Sequence, residues 1–291
     1  MILQQLINGI MLGSVYALIA LGYTMVYGVM KFINFAHGDV YMWGAFFAMF
    51  LAHFLGGQFL PVLILTMILT GILGVLVERV AYKPLRRAPR LVVTTSALGM
   101  SIVLSNLARL LIGSATYPMP KVLAVHDFKL GPSAVINNIQ ILVLVTAVVL
   151  MVLLNWFVNR SRYGKAIRAA SEDQETAGLM GVNMDNVVSV TFFVGSSLGG
   201  AAGLLVGMYY DAVYSTMGYA AGLKAFTAAI LGGIGSIPGA MFGGLLLGIV
   251  ENFAGAFLSN YRDGIAFLVM ILVLLFRPGG LFNAKIYQKR V

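Results

Sequence analysis

The stretch LINGIMLGSVYALIALGYTMVYGV, residues 6–29, contains no Asp, Glu, Lys or Arg from end to end. An α-helix rises about 1.5 Å per residue, so an apolar run of this length crosses a hydrocarbon core about 30 Å thick. A charge at the centre of such a span costs roughly 2.5–3.5 kcal/mol, which makes uncharged runs the markers of spans. Outward from this first run the pattern recurs at 40–53, 60–77, 91–108, 136–157 and 186–210. The last third is interrupted. Residues 222–231 read as a half-helix, Gly232, Gly233, Gly235 and Pro238 break it, a longer helix resumes over 240–258, and a final span covers 264–276. The expected fold is all-α, one transmembrane domain over 1–291, with about eight spans and a broken helix near the C-terminal third.

Composition agrees. Of 291 residues, 60% are hydrophobic and 10% charged, and the mean hydropathy is +0.92. A soluble domain carries about a quarter charged residues, so this chain could not cover its surface in water and takes the lipid bilayer as solvent. There is no cysteine, which excludes disulfides, thiolate nucleophiles and cysteine metal sites. His37, His53 and His126 lie far apart without metal-ligand spacing, so neither a metal nor a cofactor is expected. The net charge of +9 would favour nucleic acid in a soluble protein. Here the basic residues cluster between spans without interleaved aromatics, so no nucleic-acid partner is expected. Residues 1–9 carry no Lys or Arg and the apolar run continues to about residue 30, so it reads as a retained helix rather than a cleaved signal.

Orientation follows from Lys and Arg. Arg79, Lys83, Arg86, Arg87 and Arg90 oppose only Glu78; Arg160, Arg162, Lys165 and Arg168 crowd the next long loop; Arg277, Lys285, Lys289 and Arg290 end the chain. All three regions are expected in the cytoplasm, with the N-terminus and residues 113–135 outside. Asp211 and Lys224 read as external loop charges, Glu251 and Asn252 as pairing within the bundle, and Arg262 and Asp263 as outer-interface residues. Gly195, Gly199, Gly203 and Gly207 recur on one helix face, and Gly235, Gly239 and Gly243 do so again beside Gly244 and Gly248. Small residues at this spacing let helices approach closely in lipid, a reading that outweighs a direct substrate role. A faint internal repeat pairs 38–45 with 233–240.

The cytoplasmic loop 159–185 is too long for a minimal connection. Ser171, with Gln174 three positions on, matches a capping box, Glu172 and Asp173 suit a helix N-terminus, and Gly181 suits its stop. A short helix with a small apolar face, Ala177, Leu179 and Met180, is expected across the cytoplasmic surface, either as a solvated loop helix or as a docking element. Lys31, Asn34, His37 and Asp39 interrupt the first apolar region, which reads equally as a plain turn or as a broken helix lining a pathway.

Three groups of residues carry a family resemblance: INGIMLGSVYALIALGYTMVYGVMKFINFAHGDVYMWGAFFA, GKAIRAASEDQETAGLMGV, and AFTAAILGGIGSIPGAMFGGLLLGIVE with the later LLFRPGGLF. In that order they resemble the branched-chain amino acid ABC transporter permeases of the LivH type, through nearly the whole chain. The resemblance implies one of two unlike permease subunits in a bacterial inner-membrane importer. Its partners would be a homologous second permease, two cytoplasmic ATP-binding subunits and a periplasmic amino-acid-binding protein. The cargo would be leucine, isoleucine and valine; relatives for urea or short amides look similar. The second segment resembles the family's coupling motif, placing Gly164, Arg168, Ser171, Glu172, Asp173, Glu175, Ala177 and Gly181 against the ATPases. Backbone breaks and polarity nominate Asn34, His37, Gly232, Gly233 and Ser236 for the translocation pathway.

The chain has no GxxxxGK[ST] motif, since Gly164-Lys165 is followed by Ala166, so it cannot cradle ATP that way. No catalytic residue is expected. An ion-coupled secondary transporter would carry ionisable residues in mid-span, whereas most charges here fall at expected span ends. An intramembrane aspartyl protease is excluded by Ala36 where a glycine is required and by the order of Gly38-Asp39 and Tyr210-Asp211.

Overall fold

The computed structural model describes residues 2–86, 88–129, 134–257, 259–277 and 279–282. Arg87, Lys285, Lys289 and Arg290, used above for orientation, lie outside the described residues, as does the expected helix end at 258. The helices are α1 (Ile2–Met30), α2 (His37–Phe54), α3 (Phe59–Val77), α4 (Arg90–Leu111), α5 (Asn138–Arg160), α6 (Arg162–Glu172), α7 (Gln174–Leu179), α8 (Met184–Tyr210), α9 (Met217–Gly232), α10 (Ile237–Phe257) and α11 (Arg262–Phe276). A short antiparallel hairpin, β1 (Asp127–Lys129) with β2 (Val135–Asn137), precedes α5. Six helices are long and apolar enough to cross a membrane: α1, α3 with its wound extension to Leu85, α4, α5, α8 and α10. The shorter α2, α9 and α11 complete the bundle.

The 6–29 run becomes the mast. From Met11 to Val26 every residue of α1 is buried, enclosed mainly by α10, α8, α9 and α5. Lipid tails are as apolar as leucine, so helices gain little by leaving them and hold together through close packing. Glycine supplies the closeness. A Cβ on Gly13 would fall 2.7 Å from Leu245 Cα, and one on Gly9 would fall 2.8 Å from Ile249 Cα. The α8 stripe does likewise, with Gly195 against Gly22 of α1, Gly199 against His37 and Gly203 against the Tyr41 backbone of α2. The packing reading of the stripes therefore accounts for their spacing.

Two breaks shape the interior. After α1, Lys31 turns with φ 56°, and after α8, Asp211 turns with φ 49°; among the described residues these are the non-glycine positions with positive φ. Each is followed by a short link and a shorter helix whose second residue is glycine, Gly38 in α2 and Gly218 in α9. Those two glycines meet backbone to backbone, so α2 and α9 touch at their first turns. The structural correspondence pairs residue 38 with 218, not 38–45 with 233–240.

At the end of α3 the chain winds through a wider turn, Glu78–Tyr82, which places Glu78 fully inside. Arg86 pairs with both Glu78 and Asp185, Lys83 reaches Asp185 at 2.7 Å, and Ser189 donates to Glu78 at 3.1 Å. The basic loop is thus clamped to the start of α8.

Gly13→Leu should lower stability by about 1–3 kcal/mol or more through overpacking, read as a lower unfolding temperature in detergent. Gly99→Ala, where a Cβ meets nothing within 4 Å, should leave it unchanged or slightly raised.

Candidate functional site

The loop after α5 holds two helices rather than one. Ser161 caps α6, accepting from the Gly164 amide at 2.8 Å. Gly164 is required because a Cβ there would collide with the carbonyls of Phe157 and Val158. Arg168 ties α6 back to α5, donating to the Val158 carbonyl at 2.7 Å and to Asn159 at 3.2 Å. Ser171 is not a cap: it lies inside α6 and donates to the Arg168 carbonyl at 2.7 Å. The cap of α7 is Asp173, which accepts from the Thr176 amide at 2.7 Å. The two cap registers differ by two residues, and the short side chain of Asp173 with its extended backbone takes the role expected of Ser171.

Gln174, expected to close the capping box, donates instead to the Val29 carbonyl at the end of α1. Beside it, burial lowers the pKa of Lys31 from its ordinary value, and the nearby Glu172 carboxylate partly offsets this. The α6–α7 element therefore grips the α1–α2 break. Ala177 is buried beneath α7, Glu175 is exposed in its first turn, and Gly181, at φ 86°, ends it as expected. Leu179 and Met180 stand 83% and 81% exposed on this face.

Arg168, Ser171 and Glu172 border a cleft of about 700 Å³ together with Thr24 and Gly28 of α1 and Ser236 of the α9–α10 break. It brings α6 together with Ser236, one of the residues nominated for the pathway.

Comparison with known proteins places this geometry. The family described as "Branched-chain amino acid transport system / permease component" matches residues 5–274. The chain belongs to that family. It is 47% identical to the high-affinity branched-chain amino acid transport system permease protein BraD of Pseudomonas aeruginosa, covering 99% of this chain and 97% of that one. It is 42% identical to the corresponding LivH protein of Escherichia coli K12, again over 99% and 97%. Among solved structures, PsaBC from Streptococcus pneumoniae in complex with Fab aligns with a TM-score of 0.52 at 13% identity, covering 95% and 92%, which speaks to the fold.

In this permease the remaining nominated residues are packed away from the cleft. Asn34 is 2% exposed and accepts from the Tyr82 hydroxyl at 2.5 Å. His37 is 1% exposed, and its Nε2 lies 3.2 Å from the Ile19 carbonyl, an acceptor that requires the proton on that nitrogen. Gly232 lies against Gly239, and Gly233 turns at φ 103°. The Leu281 amide donates to the Leu231 carbonyl at 2.9 Å, so the segment after α11 folds back under this break.

One expectation is corrected outright. Lys224 is not an external loop charge; it is buried within α9, 2.8 Å from Glu251 and 2.7 Å from Asp263. Glu251 is fully buried and also meets Arg262 at 2.8 Å, while Asn252 donates to the Gln5 carbonyl at 2.8 Å, both as the in-bundle pairing expected. The sequence hid this because Lys224 alone reads as a span-end charge, and its partners Glu251 and Asp263 stand on later helices.

Removing one partner of a buried pair costs about 3–5 kcal/mol. Glu251→Ala should therefore sharply reduce thermal stability in detergent, and Lys224→Met with Glu251→Leu should recover much of the loss.

Proposed function

We propose that this chain is a membrane-spanning subunit of an ATP-driven bacterial importer, carrying branched-chain amino acids inward by alternating access. The relatives at 42–47% identity carry that cargo in their names. The observation that supports the drive mechanism is the exposed apolar corner of Leu179 and Met180 on an element bonded through Gln174 to the end of α1. A solvated loop helix has no need of such a corner, whereas a partner covering it would be coupled directly to the mast of the bundle.

In this reading two cytoplasmic ATP-binding subunits seat on α6–α7, a homologous second permease completes the pathway, and a periplasmic binding protein delivers cargo. The N-terminus lies outside the inner membrane and the C-terminus in the cytoplasm, as the basic clusters require. Closure of the ATPases displaces α7, Gln174 and Glu172 transmit the displacement to the α1–α2 break, and the α6–α1–Ser236 cleft changes shape. Nucleotide and docked binding protein then bias one pre-existing facing over the other. Hydrolysis stays on the partners.

The test uses the complete complex in proteoliposomes. Leu179→Asp with Met180→Asp should cut leucine uptake by about tenfold or more, since burying two new carboxylates at an interface costs several kcal/mol, while insertion is unchanged. Replacing Glu172 and Asp173 by Lys should likewise uncouple hydrolysis from uptake. Wild-type uptake in both variants would remove α6–α7 from the coupling path.

A further inference from the structure

Three carboxylates are buried among the described residues: Asp39, Glu78 and Glu251. Glu78 is paired with Arg86, and Glu251 with Lys224 and Arg262. Asp39 has no cation within ion-pair distance among the described residues; its side-chain partner is the Ser101 hydroxyl of α4. It is 4% exposed. It also sits deep. The start of α2 is held by His37 against Ile19 and Gly22, well inside α1 rather than at its end. At about 1.5 Å per residue, Ile19 lies roughly 16 Å from the Met30 end of that helix. An unpaired acid at this depth marks a functional site by default.

Asp39 borders a small cavity of about 40 Å³ between α1, α2, α4 and α9, with Tyr23 of α1 among its walls. Ser101 and Asp39 form its polar corner, Leu98 and Leu223 are apolar walls, and Gly218 brings in the first turn of α9. That helix start has no side-chain cap, so its amides have no side chain of their own to satisfy them. Leu98 and Tyr219, at the cavity's rim, are both exposed on the chain's surface. The volume is that of about one water, so a larger guest would enter only if α4 parted from α9.

We propose that this pocket is a transient binding site for a zwitterionic amino acid, with the Asp39 carboxylate receiving the α-ammonium group. The α-carboxylate faces the start of α9, where the helix dipole favours an anion beyond the Met217 amide, which donates to the Tyr214 carbonyl, and the aliphatic side chain lies between Leu98 and Leu223. Ser101 positions Asp39 and keeps one oxygen oriented when the site is empty. The arrangement favours an amino acid over an amide or urea, because neither of those supplies the cation that Asp39 lacks. This assignment rests on the transport reading above and names the site within it.

The chain has no cysteine, so Ser101→Cys gives it a single thiol at the pocket. In the complete complex in proteoliposomes, modification by a cationic and an anionic methanethiosulfonate reagent is followed by the mass of this chain, with and without ATP and vanadate. The expected result is that in at least one nucleotide state the cationic reagent reacts about tenfold faster, as a nearby carboxylate in low dielectric dictates. Millimolar leucine should slow the reaction, and adding Asp39→Asn should abolish the charge preference. Leu98→Cys at the rim serves the same measurement if Ser101→Cys does not fold. A thiol sealed in every state, a rate indifferent to leucine, or a preference that survives Asp39→Asn each overturns the site. A carboxyl that simply holds a proton would show no preference and overturns it too. Leucine uptake by the wild-type complex, measured alongside, separates failure of this site from failure of the transport reading.

Discussion

Backbone-to-backbone contact along α1 is the constraint on which the rest depends. A helix sheathed by others within a bilayer gains nothing from hiding apolar side chains, so its neighbours must approach closely enough for dispersion to compete with lipid. Gly9 and Gly13 admit α10, and Gly22 admits α8. With the mast fixed in this way, the short helices α2 and α9 can begin inside the bundle rather than at its surface, and their meeting at Gly38 and Gly218 leaves two helix starts facing the interior. Irregular backbone at that depth is tolerated where protein or a cavity lines it.

Charge then divides by depth. At the basic turn after α3, Arg86 neutralises Glu78 and locks two helices; near the opposite end of the chain's fold, Lys224 and Arg262 neutralise Glu251. These clusters are internally balanced and read as rivets. The α6–α7 element is different in kind: polar toward the bundle through Gln174, apolar toward the outside through Leu179 and Met180. A rigid fastening inside and an unfinished surface outside are what a force-transmitting part needs.

Much of this was legible in the residues. The uncharged runs locate the spans because charge at mid-membrane is expensive, and the recurrence of glycine every fourth residue signals close packing. The half-helix that the sequence places at 222–231 begins earlier, at Met217, because nothing in the sequence marks an uncapped start. The sequence suggests a capping box at Ser171, while a fully formed one exists at Asn137 and Gln140, ahead of α5. Both sites fit the local rule, and tertiary context chose between them: Gln140 has only its own helix start and Asn8 to satisfy, whereas Gln174 is drawn to Val29. The burial of Lys224, and which of the two readings suits Asp39, are not legible for a related reason. Whether a lone charge is riveted, exposed or waiting for a guest depends on partners on other helices, as Lys224 does on Glu251 and Asp39 on Ser101.

The central claim is that the bundle moves cargo only when another chain's nucleotide chemistry pulls on α6–α7. It is tested most directly by comparing leucine accumulation in proteoliposomes holding the complete complex with accumulation in proteoliposomes holding this chain alone under an imposed proton or sodium gradient. The account predicts uphill, ATP-dependent accumulation by the complex and none by the isolated chain. Uphill uptake by the isolated chain on an ion gradient would contradict it.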